Sequence, residues 1–205
     1  MNRFLFLVLV IFSVSNTAFA QLQFGLKSGL HFNNVDLVVD IDGEPAEYAT
    51  NLKPQLGLWF SVPLSQRFSL QPELLWTQKD WNTEAARDMG VRFDYFSLPL
   101  AAAYSFGNWR VTLGPELTFL MDQRFLTVVG NFEESPTIKE NTFGIAANLG
   151  LQYHFRKWVF GLRANRDLKD FENFDITDVN GDPLGKANYY HQGLTLWAGY
   201  QLFSK

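Results

Sequence analysis

Thr142-Phe143-Gly144-Ile145-Ala146-Ala147-Asn148-Leu149-Gly150-Leu151-Gln152-Tyr153-His154-Phe155 decides the fold of this chain. Read at a period of two, it puts Phe143, Ile145, Ala147, Leu149, Leu151, Tyr153 and Phe155 on one face. Gly144, Ala146, Asn148, Gly150, Gln152 and His154 fall on the other. Successive side chains of a β-strand point to opposite faces, so this is a strand, with one apolar face and one face of small and polar residues. Two residues, Arg156-Lys157, separate it from the next such run, in which Trp158, Phe160, Leu162 and Ala164 oppose Val159, Gly161, Arg163 and Asn165. A connection that short predicts an antiparallel hairpin.

The same alternation recurs in residues 22–32, 54–62, 67–79, 92–106, 109–121 and 190–203. Together with 142–155 and 158–165 this gives an even set of eight strands, each long enough to cross a bilayer at a tilt. Connections alternate in length. Residues 63–66, 107–108 and 156–157 are short; about residues 33–53, 80–91, 122–141 and 168–189 are long. Short turns on one side and long loops on the other are the pattern of outer-membrane barrels, with both chain ends on the short-turn, periplasmic side. Tyr104, Phe106, Trp109, Phe155 and Trp158 flank the short turns, and Trp76, Trp81 and Phe96 lie near the long loops, as interfacial girdles require.

Alternation alone also fits a soluble barrel with its apolar face inward. The composition of the polar face separates the two. It is built of Gly, Ala, Ser, Thr, Asn and Gln with a few isolated charges, and glycines recur on it at 25, 29, 57, 114, 144, 150, 161, 193 and 199. Small residues suit a crowded lumen and are wasted on a surface facing water. The apolar face carries no charge across the middle of any strand, as contact with lipid demands. The expected fold is therefore all-β: an eight-stranded antiparallel up-and-down transmembrane β-barrel with short periplasmic turns and long extracellular loops.

The remaining composition agrees. Residues 1–20 read as a cleaved signal peptide: Arg3, an apolar run from Phe4 to Val14, and the small-x-small site Ala18-Phe19-Ala20. Residues 21–205 form the single barrel domain. The absence of cysteine excludes a disulfide scaffold, a thiolate metal site and a lipidated N-terminus. A net charge of −4 gives no broad basic field, so nucleic acid is not an expected partner. The expected localisation is the bacterial outer membrane.

Charges that face a narrow lumen must pair. The inward set is Lys27, Glu73, Lys79, Arg110, Glu116 and Arg163, and Glu73 and Glu116 are expected to pair with Arg110 and Arg163. Lys27, Glu73, Arg110, Glu116 and Arg163 are read as a structural lumen network. Trp59 and Trp197 also point inward by parity, so the lumen is expected to be filled rather than an open pore.

Several strands together resemble a known family. Phe24-Gly25-Leu26-Lys27-Ser28-Gly29, Ser69-Leu70-Gln71-Pro72-Glu73-Leu74-Leu75-Trp76, Tyr95-Phe96-Ser97-Leu98-Pro99-Leu100 and Leu113-Gly114-Pro115-Glu116-Leu117 follow, in order, the motif series of the PorT-like outer-membrane β-barrel family common in Bacteroidetes. The sequence departs from that series at Trp76, where tyrosine is usual, and at Ser97, where glutamate is usual. The resemblance implies an eight-stranded barrel, a possible part in protein secretion across the outer membrane, and accommodation of Pro72, Pro99 and Pro115 at bulges.

No catalytic, cofactor or metal residues stand out. Asp40-Ile41-Asp42-Gly43-Glu44-Pro45 and Asp178-Val179-Asn180-Gly181-Asp182-Pro183 are acidic, and the second begins like a calcium loop. Pro183 and Tyr189 stand where that loop needs glycine and a bidentate acid, so hairpin turns are the stronger reading. His31, His154 and His191 form no spaced metal motif, and no Ser/His/acid spacing marks a lipid-modifying barrel enzyme. The function read from sequence is a non-enzymatic barrel with a structural or interaction role in the envelope, a secretion component being the alternative. Expected partners are outer-membrane lipid and lipopolysaccharide, with envelope or secretion-complex proteins.

Overall fold

The computed structural model describes residues 22–39, 49–82, 90–126, 132–134, 142–177 and 180–204. The leader segment 1–20 and the acidic segment 40–45 lie outside the described residues. The strands are β1 (Gln23–Val39), β2 (Asn51–Pro63), β3 (Phe68–Trp81), β4 (Gly90–Phe106), β5 (Trp109–Leu126), β6 (Phe132–Glu134), β7 (Phe143–Phe155), β8 (Trp158–Asp167), β9 (Glu172–Thr177) and β10 (Pro183–Ser204). Eight of them form a ring in the order β1-β2-β3-β4-β5-β7-β8-β10, which β10 closes on β1. Every pairing is antiparallel. The short β6 and β9 add to the outer ends of β5 and β10.

The register fixes the shape. From Gln23 the ladder leads through Ser61, Gln71, Ala101, Gly114, Asn148, Asn165 and Gly193 to Asn33, a stagger of ten residues along β1. Eight strands with that stagger tilt by about 40° and hold the backbone at a radius of about 8 Å, a lumen that side chains fill.

Leu26, Leu30, Leu56, Leu70, Leu113, Leu149, Leu162 and Leu196 are exposed on the outer face, with Leu113 at 60 %. Polar residues Lys27, Asn33, Gln55, Gln71, Glu73, Asn148, Gln152 and Arg163 are buried inside. This inversion of the usual burial order is what a lipid-facing exterior requires. Each apolar stripe ends at the same level, at Asn34, Gln78, Asp94, Asp122, Arg166 and Gln192. There the outer face carries polar pairs: Gln78 donates to Asp94 (2.9 Å), Arg124 meets Asp122 (2.7 Å) and Arg166 meets Asp36. On β1 the stripe runs from Phe24 to Phe32, and these nine residues at this tilt rise ~20 Å, close to the apolar band of about 25 Å of such barrels.

The strands do not stop at that level. β1 continues to Val39 and β10 begins at Pro183, so much of what the sequence assigns to loops 33–53 and 168–189 is strand. Backbone pairing continues above the band, while the apolar pattern that marks a strand in sequence ends where lipid ends.

Gln23, Ser204 and the turns Gly107-Asn108 and Arg156-Lys157 share one rim. An impermeant maleimide should label a cysteine placed at Lys186, on the opposite rim, in intact cells. A cysteine at Asn108 should react only after permeabilisation, and the reverse pattern would invert the orientation.

Pro72, Pro99 and Pro115 do not sit at bulges. Register shifts occur at Phe24/Gly25, Asp94/Tyr95 and Pro183/Gly185. Around Pro72 and Pro99 the ladder instead skips, between Pro72↔Leu100 and Leu75↔Ser97 and between Pro99↔Glu116 and Ala102↔Leu113, and resumes in the same register. The lost amide donors are absorbed as interruptions rather than as inserted residues.

Candidate functional site

The lumen holds the side chains that can do chemistry, and the pleat delivers them there. Glu73 on β3 is completely buried. It accepts hydrogen bonds from Lys27 Nζ (2.8 Å), Arg163 Nη2 (2.5 Å) and Gln71 Nε2 (2.9 Å). Lys27 Nζ also lies 3.8 Å from the centre of the Trp197 ring, a cation–π contact. Glu116 is buried beside the same two cations. Two acids, Glu73 and Glu116, thus face two bases, Lys27 and Arg163, at the waist of the barrel. Trp59, Val159 and Trp197 pack together as an apolar layer against it.

The expected pairing is corrected in two respects, the first being that Glu116 makes no ion pair with either arginine among the described residues. Glu73 does pair with Arg163, but its second cation is Lys27, and Arg110 takes no carboxylate among the described residues. Arg110 donates instead to Ser105 Oγ (3.1 Å), Ser61 Oγ (3.2 Å) and Gln71 Oε1 (3.4 Å). It sits close to the short-turn rim, too far along β5 to reach Glu73, and Gln71 bridges the two.

A second charged pair lies toward the outer end: Lys79 Nζ is 3.5 Å from Asp167 Oδ1. Asp167 Oδ2 accepts the backbone N–H of His191 (3.0 Å). Asp167 escapes the sequence reading because the apolar alternation of β8 stops at Asn165. Extending the same inward parity by two residues, through Arg163, Asn165 and Asp167, would have found it.

An aromatic layer closes the outer mouth. The His191 ring stacks on Phe171 (centroids 4.0 Å apart, 11° between planes) and meets the edges of Phe93 and Tyr95. Val91, Phe93 and Tyr95 pack with Leu120, Phe125 and Phe171. The bulge at Asp94/Tyr95 makes this possible. Below it Glu116 and Thr118 face inward; above it Gln123 and Phe125 do.

His31 Nδ1 contacts Thr195 Oγ1 at 2.9 Å, the one histidine–hydroxyl contact among the described residues. It is completed by no carboxylate, so the pair lacks the orienting acid of a nucleophile–base arrangement. His154 lies apart, near Arg110. Among the described residues no three His, Cys, Asp or Glu side chains gather as a metal site. In the second acidic segment, Gly181 takes φ = 88° in the β9–β10 connection, a backbone conformation that favours glycine in a tight turn.

Comparison with known proteins agrees with this architecture. The family model described as "Outer membrane protein beta-barrel domain" matches residues 16–173. Neisserial surface protein A superposes with a TM-score of 0.53 at 10 % identity, covering 86 % of this chain and 96 % of that one. Ail, the attachment invasion locus protein of Yersinia pestis, superposes with a TM-score of 0.47 at 13 % identity, covering 89 % and 99 %. A major outer membrane protein from Thermus thermophilus gives 0.46 at 12 % identity, covering 88 % and 99 %. At these identities the similarity concerns the fold alone. No curated protein sequence matches the chain.

Proposed function

The chain belongs to the outer membrane protein β-barrel domain family, and from that premise we propose that it is a non-enzymatic, closed barrel of the outer membrane whose work is done outside the bilayer. The observation that carries this reading is the neutral lumen plug. Lys27, Glu73, Arg163 and Glu116 fill the waist, Trp59 and Trp197 pack beside them, and Phe93, Tyr95, Phe171 and His191 fill the outer mouth. A lumen this full conducts poorly, because each ion would have to displace paired charges. The charged residues serve the barrel's own integrity.

Solutes being excluded, the surfaces left for function are the lipid-facing band, with outer-membrane lipid and lipopolysaccharide as its partners, and the strand ends that rise beyond it. β10 with β9, and β1 above Asn33, present polar and aromatic side chains there, including exposed Lys186 and Asp175. These suit contact with envelope proteins, and the PorT-like motif series favours a protein-export complex among them. The leader 1–20 would be removed during export.

Purified protein in planar bilayers is expected to give no stepwise conductance. Long-lived openings of the size of a diffusion pore would refute the sealed lumen.

A further inference from the structure

At the short-turn rim, β2, β3, β4 and β5 enclose a polar cavity of about 480 Å³, lined in part by Ser61, Ser65, Arg67, Ser69, Ser105 and Arg110. No acidic side chain lines it. Three buried lumen cations have acidic partners: Lys27 and Arg163 share Glu73, and Lys79 meets Asp167. Arg110 has none among the described residues. Its Nε and Nη1 are held by Ser105, Ser61 and Gln71, while Nη2 makes no hydrogen bond to a described residue. Gln71 cannot relay charge from Glu73, because its amide is spent in orientation, giving N–H to Glu73 and accepting from Arg110.

Ser69, on β3, is 94 % buried by its 6 % exposure, and its Oγ has no hydrogen-bond partner. Arg67, at the lip, is exposed and anchored by donating to the Tyr104 hydroxyl at 3.3 Å. The lining therefore combines the Arg110 guanidinium, which has no acidic partner among the described residues, with the hydroxyls of Ser61, Ser65 and Ser105 and with Arg67 at the lip, and includes no acidic side chain. A half-enclosed site of this kind holds a positive potential, and an anion there would be bound by charge-assisted hydrogen bonds.

We propose that this cavity is a binding site for a phosphate group. The open donors come from three strands and a turn, Ser61 on β2, Ser105 on β4, Arg110 on β5 and Ser65 with Arg67 in the turn, a set that suits an oxyanion with several acceptor oxygens better than a planar carboxylate that one guanidinium would satisfy. The cavity is larger than phosphate itself and leaves room for a small substituent such as glycerol or ethanolamine. Two sources fit: the headgroup of an inner-leaflet phospholipid, folded into the rim, or a soluble periplasmic phosphate ester.

The test uses the barrel folded in a glucoside detergent, free of phosphate, with arginine Nε followed by nitrogen NMR. Inorganic phosphate and glycerol 3-phosphate are expected to shift the Arg110 Nε signal saturably, while acetate at equal concentration does not. Arg110→Gln, read through the Arg67 Nε signal, should weaken the apparent affinity at least tenfold. Arg67→Gln, on an exposed turn and safe for folding, should weaken it severalfold, read through the Arg110 signal. In nanodiscs of phosphatidylglycerol the Arg110 signal should already be shifted and indifferent to added glycerol 3-phosphate if the source is a lipid headgroup. If the source is soluble, the signal should match that in galactolipid discs and still respond. Absence of a saturable shift, an equal response to acetate, or affinity unchanged in both arginine variants would overturn the proposal.

Discussion

Glu73→Gln is expected to destabilise the barrel by about 3–5 kcal/mol, the usual cost of leaving a buried charge without its partner. The side chain is wholly enclosed and serves two cations at once, Lys27 at 2.8 Å and Arg163 at 2.5 Å. Glutamine preserves its shape but removes the charge and turns one acceptor into a donor that faces other donors. Arg163 already has its Nε and Nη1 unpaired among the described residues, so it has no other strong acceptor in hand there. Glu116 remains nearby, but it would then serve two cations alone. Lys27→Met should cost about half as much, because Glu73 keeps Arg163 while losing one of two counter-charges. The two changes together should cost less than their sum, since removing Lys27 also removes one of the cations that Glu73→Gln strands. Urea unfolding in lipid vesicles, followed by tryptophan fluorescence, measures all three. A Glu73→Gln barrel within 1 kcal/mol of the unmodified protein would show that the lumen charges are hydrated rather than dependent on one another.

Gly161→Leu is expected to prevent folding altogether, and Gly161→Ala to cost about 1–3 kcal/mol. A Cβ at this position would lie 2.2–2.4 Å from Cε2, Cζ2 and Nε1 of Trp197. Those atoms belong to a rigid ring that cannot bend away as the end of a lysine could. The ring has little freedom to move as a whole: Gly29 lies against its Cβ, and Lys27 Nζ lies over it. The indole thus occupies the space that the missing side chain leaves, and small and large residues interlock across the lumen. On gels, the heat-dependent mobility of the folded barrel should be lost for Gly161→Leu and retained at lower unfolding midpoint for Gly161→Ala. Adding Trp197→Leu to Gly161→Ala should recover part of the loss that Gly161→Ala causes. Normal folding of Gly161→Leu would mean that the indole is not wedged against β8.

Much of the fold was legible because the decisive signal is local. The pleat alone puts Leu149 and Leu151 outside and Asn148 and Gln152 inside, and it did so for each of the eight long strands. The two-residue connection at Arg156-Lys157 was equally readable, and Arg156 adopts φ = 57° there. Strand ends were not legible. β1 and β10 keep pairing beyond Asn33 and Gln192, in residues whose outer side chains are mostly polar, and hydrogen bonding between backbones leaves no mark on composition. The bulge at Asp94/Tyr95 was likewise hidden, since one extra residue in β5 changes which side chains face inward without changing their types.

Within the lumen, the sequence by itself determined which residues are inside: Lys27, Glu73, Arg110, Glu116 and Arg163 all follow from parity. It did not determine who meets whom. The partners of Glu73 lie 46 and 90 positions away in the chain, and they reach it because the ring closes with a stagger of ten residues and a radius short enough for side chains to cross. The same stagger leaves Arg110 near the rim among serines instead of beside a carboxylate. Facing direction is a property of one strand's pleat. Pairing across a lumen is a property of eight strands held at one tilt, and only the closed barrel fixes it.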